Sequence, residues 1–574
     1  MDNLGLPPDI LTTDFVLEPL QIKQVHIIVN DLHSQVLAIE DDVLKVNSEI
    51  RRKTPRLRTL RELRAKQRAL RKIISRYKAL LSPMRAVPPE ILVEIFIRCL
   101  PPRGTSICAG DAPLLVTRVC SRWRYVAINA RHLWTSLSLG GVSEGSNIVA
   151  DASSFGLNPL LVTQIWLERS GTLPLDIQLM ILDWGPKLLK FTGTAMNGRD
   201  INKEVMRNLM VHVHRWRHFK AAFFSDTLKE AFRSDVTLRA PMLKSFHICR
   251  PRHRWHNPQV MSESGRFHAP SIADFALHTV IITLKSFTID YHSLRRLSLH
   301  SSRVFPIDLC LDTLEHCPFL ESFSLTLIEP HVAVQPPRTP MSLPHLRDLC
   351  ISFETSLETS LEMSAFLRPL RLPRLRTLEF HDPRDPWSIC EDFWRAFRAL
   401  LTRSRPPLHE LCLGAASVGR VLIPILRLLP RLEILDFQLA APDAATLVAL
   451  TPAPGGKWLC PRLRALYIVN TEVPWNINNI REVIALVKAR VPPGLGPWDG
   501  GSRPIGPSES DGAGFQVMEG RYLTEVGVWH AKGVGVGEEE KLQALGRKGG
   551  KKMRFTIHRY IGREFNTFTA KQFR

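Results

Sequence analysis

Apolar residues at Leu32, Val36, Ile39, Val43, Val46 and Ile50 are spaced 4, 3, 4, 3 and 4 apart, a coiled-coil seam of nearly three heptads. The stretch "KTP" interrupts it, with Thr54 a candidate N-cap and Pro55 a candidate first helical residue. A second seam of the same spacing follows at Leu63, Gln67, Leu70, Ile74, Tyr77 and Leu81. Together they predict a helical coiled-coil arm over 21–82. It either folds back as a hairpin or runs on as one kinked arm that self-associates through residues 30–81. The hairpin is favoured, because each seam alone is short for an intermolecular coil. Residues 1–20, acidic and broken by prolines, are expected to be disordered.

The period then changes. The pattern L-x-x-L-x-L, with Phe or Ile substituting, starts at Leu243, Ile272, Leu294, Leu320, Leu346, Leu375, Leu408, Leu432 and Leu463. Successive starts differ by 29, 22, 26, 26, 29, 33, 24 and 31 residues. A short strand returning every ~20–30 residues resembles a leucine-rich repeat solenoid. No single copy can bury its three apolar residues alone, so stacked copies are expected to form a parallel sheet with helices on the other side. Stretches 388–404 and 419–430 are candidate helices. The Asn or Cys that follows the strand in regular repeats is mostly missing, so the predicted solenoid over 241–490 is irregular. Residues 140–240 are read as its atypical first part, with 165–179 and 212–220 as strands. In 491–574, residues 494–550 hold fifteen of the 32 glycines. This Gly/Pro-rich, basic tail is expected to be largely disordered, although "MRFTIHRY" alternates like a strand or hairpin.

Between arm and repeats, residues 83–139 read "VPPEILVEIF" at 87–96, "LLVTRVCSRWR" at 114–124 and "HLWTSLSL" at 132–139. Pro89 is placed to open a helix, and Ile91, Leu92, Ile95 and Phe96 form its apolar face. The order, the gaps and the Val-Cys-x-x-Trp-Arg core resemble an F-box. Val87 stands where a Leu is common, and "PRGTSICAGDA" lengthens the loop. The resemblance implies a small all-α bundle that offers apolar surface to a Skp-type adaptor, and through it to cullin and RING subunits of a ubiquitin ligase. It implies Pro88, Pro89, Ile91, Leu92, Ile95, Phe96, Leu115, Val119, Cys120 and Trp123 as adaptor-binding residues. Trp134 would pack this bundle onto the domain after it. Large fungal F-box families, which 165–179 and 212–220 also resemble, join a helical N-terminus and an F-box to such a repeat body.

The resulting fold class is α/β overall: helical arm, all-α bundle, then parallel solenoid. A formal charge of +21 suggests nucleic acid until it is mapped. Residues 51–78 carry thirteen Lys/Arg against Glu62, and 541–574 carry ten against Glu564, so +12 and +9 account for all of it. A balanced body with two basic appendages is a poor match to a nucleic-acid-binding domain. No leader and no membrane span is read in the chain. The ten scattered cysteines suggest reduced thiols in the cytoplasm or nucleus.

No nucleophile elbow, zinc-protease helix, kinase set or P-loop is present, and no cofactor is implied. Cys120 is expected inside an apolar core, a poor setting for a thiolate. Glu90 and Glu94 share a solvated helix face. His212, His214 and His218 are read as surface and packing residues rather than a metal site. The protein is therefore expected to be a non-catalytic receptor whose repeat body holds a protein target. Arg295, Arg347, Arg376, His409, Glu433 and Arg464 are the candidate target-binding residues. Two alternatives are a repeat scaffold outside any ligase and a nucleic-acid-associated protein.

Overall fold

In the computed structural model, the described residues are 17–50, 57–101, 109–139, 141–142, 149–150, 159–179, 198–222, 238–249, 267–277, 287–301, 307–327, 339–353, 359–381, 391–414, 421–438, 442–452, 458–470, 482–483, 485–486, 489–490, 525–530 and 554–559. They form a mixed α/β protein with a large parallel sheet that does not close into a barrel. The chain divides into two compact units, Met1–Trp216 and Arg217–Arg574.

In the first unit, helices α1 (Pro19–Ile50) and α2 (Leu57–Leu80) pack as a hairpin. The seam begins earlier than the spacing from Leu32 indicates. Val25 and Val29 are already buried, and Leu60 extends the second seam upstream. Val25, Val29 and Val36 meet Ile74, Tyr77 and Leu80 in one core. Leu17 joins that core and α1 starts at Pro19, which corrects the expected disorder at this end of 1–20. Gln67, the one polar seam position, donates to Glu40 Oε1 at 2.9 Å, and Arg71 Nη2 reaches the same oxygen at 2.6 Å. Thr54, Pro55 and the side chain of Ile50 lie outside the described residues.

Helices α3 (Pro89–Arg98) and α4 (Ser121–Asn129) follow. Strand β1 (Ser136–Leu139), helix α5 (Pro159–Ser170) and strand β2 (Leu175–Leu179) come next, with β1 and β2 parallel. Residues 165–170, read as strand, are thus the end of a helix. Pro159, Val162, Trp166 and Ser170 are buried at 3–4-residue spacing, which only a helix satisfies. Gly171 ends it at φ 59, where a Cβ would sit 3.2 Å from Arg131 Cδ. Helix α6 (Gly198–Met210) leads to β3 (Trp216–Ala222), so of 212–220 only the part from Trp216 is strand.

Each of the nine motif copies carries a strand beginning two residues after its first apolar position. These are β4 (Ser245–Cys249), β5 (Asp274–Leu277), β6 (Arg296–Ser301), β7 (Ser322–Leu327), β8 (Asp348–Phe353), β9 (Thr377–His381), β10 (Glu410–Gly414), β11 (Ile434–Gln438) and β12 (Ala465–Asn470). They pair parallel in chain order, and the register aligns the motif across copies: Phe246, Phe275, Leu297, Phe323, Leu349, Leu378, Leu411, Leu435 and Leu466 form one row. All nine are at most 2% exposed, because a one-residue slip would turn the row out of the core. Phe219, Phe246 and Phe275 stack along it at 5.4 and 5.8 Å.

The covering layer is not uniform. Later copies are backed by α7 (Ile307–Glu315), α8 (Thr359–Leu367), α9 (Glu391–Ser404), α10 (Leu422–Leu426) and α11 (Ala444–Leu450). Phe380 of β9, for example, packs edge-on against Phe393 and Phe397 of α9 at 5.2 and 5.3 Å. Earlier copies are backed instead by short parallel strands, Leu238–Arg239, Phe267–Ala269 and Phe287–Ile289. Their aromatic rings supply bulk in place of helices: Phe246 meets Phe267 and Phe287 at 5.5 and 5.3 Å. Two more strands, β13 (Glu525–His530) and β14 (Arg554–Arg559), pair parallel beyond β12. Within 491–574 these two stretches are sheet strands, and Arg554–Arg559, in the alternating stretch read as a strand or hairpin, pairs parallel with β13. Alternation such as "EVGVWH" suits a pleated surface even in glycine-rich surroundings.

Three arginines, Arg215 and Arg490 buried and Arg403 half-buried, tie successive elements together. Arg215 donates to Leu173 O and Ser170 Oγ, Arg403 to the carbonyls of Leu367 and Leu370, and Arg490 to those of Leu450, Leu459 and Cys460. Each guanidinium reaches at least one carbonyl at or just past the end of a preceding helix (Leu173 after α5, Leu367 and Leu370 at and after the end of α8, Leu450 at the end of α11), where backbone acceptors lack helical partners.

Candidate functional site: an exposed apolar surface and the open sheet face

Pro89 occupies the first turn of α3, where its missing N–H costs nothing, with Glu90 at the N-terminal end and Arg98 at the other. The helix is amphipathic in an uneven way. Leu92 and Phe96 are fully buried, whereas Ile91 is 52% and Ile95 38% exposed. The turn before α4 repeats the division: Val116 is buried, while Leu115 and Val119 stay 46% and 55% exposed. Phe96 and Trp123 join the two stretches, their ring centroids 4.9 Å apart. Arg122 fixes α4 to the chain ahead of α3, donating to the carbonyls of Met84, Arg85 and Val87 at 2.9, 2.7 and 2.6 Å.

Of the residues implied as adaptor-binding, Pro88, Pro89, Ile91, Ile95, Leu115, Val119 and Cys120 are exposed, and Trp123 is half-buried. Leu92 and Phe96 are not available to a partner; they are core, because a helix this short needs both to hold it. Cys120 corrects the opposite expectation. It is exposed, and its sulfur caps α4 by accepting from Trp123 N at 3.4 Å. Trp134 is buried edge-on against Trp166 of α5 at 4.7 Å, donates to Ala127 O and lies under Arg169. It does join this bundle to the segment after it.

The six residues proposed from the motif's second position form one row, just ahead of the strands. The carbonyls of the first five, Arg295 to Glu433, each accept from two N–H groups of the next copy: Arg347 O, for example, from Arg376 N at 2.7 Å and Thr377 N at 3.0 Å. Arg295, Arg347, Arg376 and Arg464 are exposed. Three members also hold one another, with Glu433 between His409 at 2.9 Å and Arg464 at 3.0 Å. Arg295 lies over the Phe319 ring at 5.1 Å.

The sheet face opposite the leucine row carries chemistry the motif does not announce. Asp274 of β5 accepts from His247 of β4 at 2.9 Å and from Arg296 of β6 at 2.8 Å. Burial opposes its charge, but these two donors outweigh burial and hold its carboxyl below the usual range. Farther along, Cys350, Glu379, Cys412, Asp436 and Tyr467 are successive register partners on β8 to β12. Glu379, Cys412 and Asp436 are 8%, 3% and 1% exposed. His381 Nε2 lies 3.3 Å from Glu379 Oε2. Burial works to lower this imidazole, yet hydrogen bonds to Cys350 and Glu379 raise it to about 10. Cys412 is pushed well above the ordinary thiol range, by burial first and then by the acids around it. One group of three side chains able to hold a metal stands here among the described residues: Cys350, Glu379 and His381. His212, His214 and His218 are not in it. No sequence spacing could have shown the cluster, since 350 and 379 become neighbours only through strand register.

No family model matches the chain, and no curated protein matches it significantly. No helix among the described residues is long and apolar enough to cross a membrane.

Proposed function

We propose that the protein is a substrate receptor of a Skp–cullin–RING ubiquitin ligase, with residues 83–139 acting as an F-box. The repeat body, read as an irregular leucine-rich repeat solenoid, holds the target. One observation carries this reading: Ile91, Ile95, Leu115 and Val119 leave about half of each side chain exposed on a frame whose own core, Leu92, Phe96, Val116 and Val126, is already closed. Exposed aliphatic side chains of this kind offer apolar area that a partner can desolvate, and the half-covered Trp123 is the type of large aromatic that anchors an interface. The chain supplies no catalysis in this reading. It brings a target lysine close to a conjugating enzyme carried by other subunits, and proximity accelerates transfer. The row from Arg295 to Arg464 and the adjoining open face are the proposed target surface. The protein is placed in the cytoplasm or nucleus.

The test is co-purification of the full chain with a Skp-type adaptor, alongside Ile91→Asp/Val119→Asp. A complex with the parent chain that the folded double variant fails to form supports the reading. A parent chain that binds no adaptor, or a variant that binds equally, overturns it.

A further inference from the structure

We propose that Cys350, Glu379 and His381 bind a zinc ion on the open sheet face, linking the neighbouring strands β8 and β9. The Cys350 sulfur, a Glu379 carboxylate oxygen and a His381 ring nitrogen already lie within 4.8 Å of one another. Their convergence follows from the backbone. Cys350 is the register partner of Glu379, and Glu379 and His381, two apart on one strand, point to the same face. Zinc sits about 2.0–2.3 Å from such donors, which puts tetrahedral donors about 3.3–3.8 Å apart. Rotation about side-chain bonds closes the remaining ångström with no backbone movement.

The donor set selects the metal. Thiolate and imidazole are poor partners for Mg2+ and Ca2+, which prefer oxygen, and good ones for a borderline-soft divalent ion. Three protein donors leave a fourth position for water or an incoming side-chain donor, as in open zinc sites. The surroundings also suit a cation: Asp436, two strands beyond Glu379 in the same row, brings a further carboxyl group and is 1% exposed. In a site this dry, a divalent charge near two carboxyl groups is screened far less than at the surface.

The inference is independent of adaptor binding, and its test uses the full chain. Protein stripped with chelator is titrated with Co2+, a spectroscopic substitute for zinc, and zinc content is measured after reconstitution. The expected result is one metal per chain, with visible bands of tetrahedral cobalt and a sulfur-to-cobalt charge-transfer band in the near ultraviolet. Cys350→Ser removes the charge-transfer band. His381→Gln weakens binding more than about 100-fold, since loss of outer-shell partners alone costs about 10–100-fold. Cys99→Ser keeps both signals. Thermal unfolding of the metal-free variants identifies any that are merely misfolded; for these, Glu379→Gln replaces the failed variant. Cobalt bound without a sulfur band, an unchanged spectrum in Cys350→Ser, or no stoichiometric metal overturns the proposal.

Discussion

Arg490→Met removes a guanidinium that makes four hydrogen bonds to three carbonyls, those of Leu450, Leu459 and Cys460. Methionine keeps much of the apolar stem, so packing changes little while the polar network is lost. Cys460 O keeps its bond from Leu463 N at 3.1 Å, so the loss falls on Leu450 O and Leu459 O at about 1–3 kcal/mol each, a gross loss of about 2–6 kcal/mol. Against this stands the charge that no longer has to be buried. Burial lowers the Arg490 pKa from 12.5 to about 10, and at 1.36 kcal/mol per unit that relief is about 3 kcal/mol. The net expectation is a loss of about 1 kcal/mol. A stacked array need not unfold in one step, so the readout is local: native-state hydrogen exchange of α11 and β12, where about 1 kcal/mol is about fivefold in protection. Arg490→Lys keeps a charge but lacks the planar fork, and is expected to lose most of the same protection. Protection equal to the parent's in Arg490→Met would refute the reasoning, because it would mean Leu450 O and Leu459 O find other partners at no cost.

The same physics sets expectations elsewhere in the chain. In the hairpin, Ile74→Ala is expected to cost about 2–4 kcal/mol as a core truncation, whereas Glu40→Ala costs under about 1 kcal/mol because its ion pair is exposed; helix loss on heating, followed by circular dichroism, ranks the two. In the bundle, Ile91→Asp and Val119→Asp leave stability within about 0.5 kcal/mol, while Phe96→Ala costs about 3–5 kcal/mol; equal losses in thermal melts would contradict the burial assigned to them. The Asp274 carboxyl is held below its unfolded value of 3.8, so its stabilisation is complete above that pH and is lost as pH falls through the folded value. Asp274→Asn is therefore expected to lower the melting temperature near neutral pH and to converge with the parent in strong acid.

The periods of the chain determined its elements. Heptad spacing from Leu32 to Leu81 implied two helices, and the nine L-x-x-L-x-L copies each became a strand. In both cases the pattern states which face needs cover, and that need is set locally by side-chain type. The seam did not say what would cover it: hairpin and dimer use the same residues, and only the meeting of Val36 with Ile74, clasped at Glu40, decides between them. Of the strands outside the motif, β13 and β14 were half-hidden because alternation without leucines is a weak signal in glycine-rich surroundings. The division within 87–123 was equally invisible. Ile91 and Leu92 are both apolar, and tertiary packing alone buries one and leaves the other half exposed. The open-face cluster lies at the far end of this scale. Cys350 and Glu379 are 29 residues apart in the chain and become partners through register, and register is set by the leucines on the opposite face. A sequence carries the identity of such residues, but their convergence is a property of the stacked sheet, because chemistry between strands depends on distances that no single strand contains.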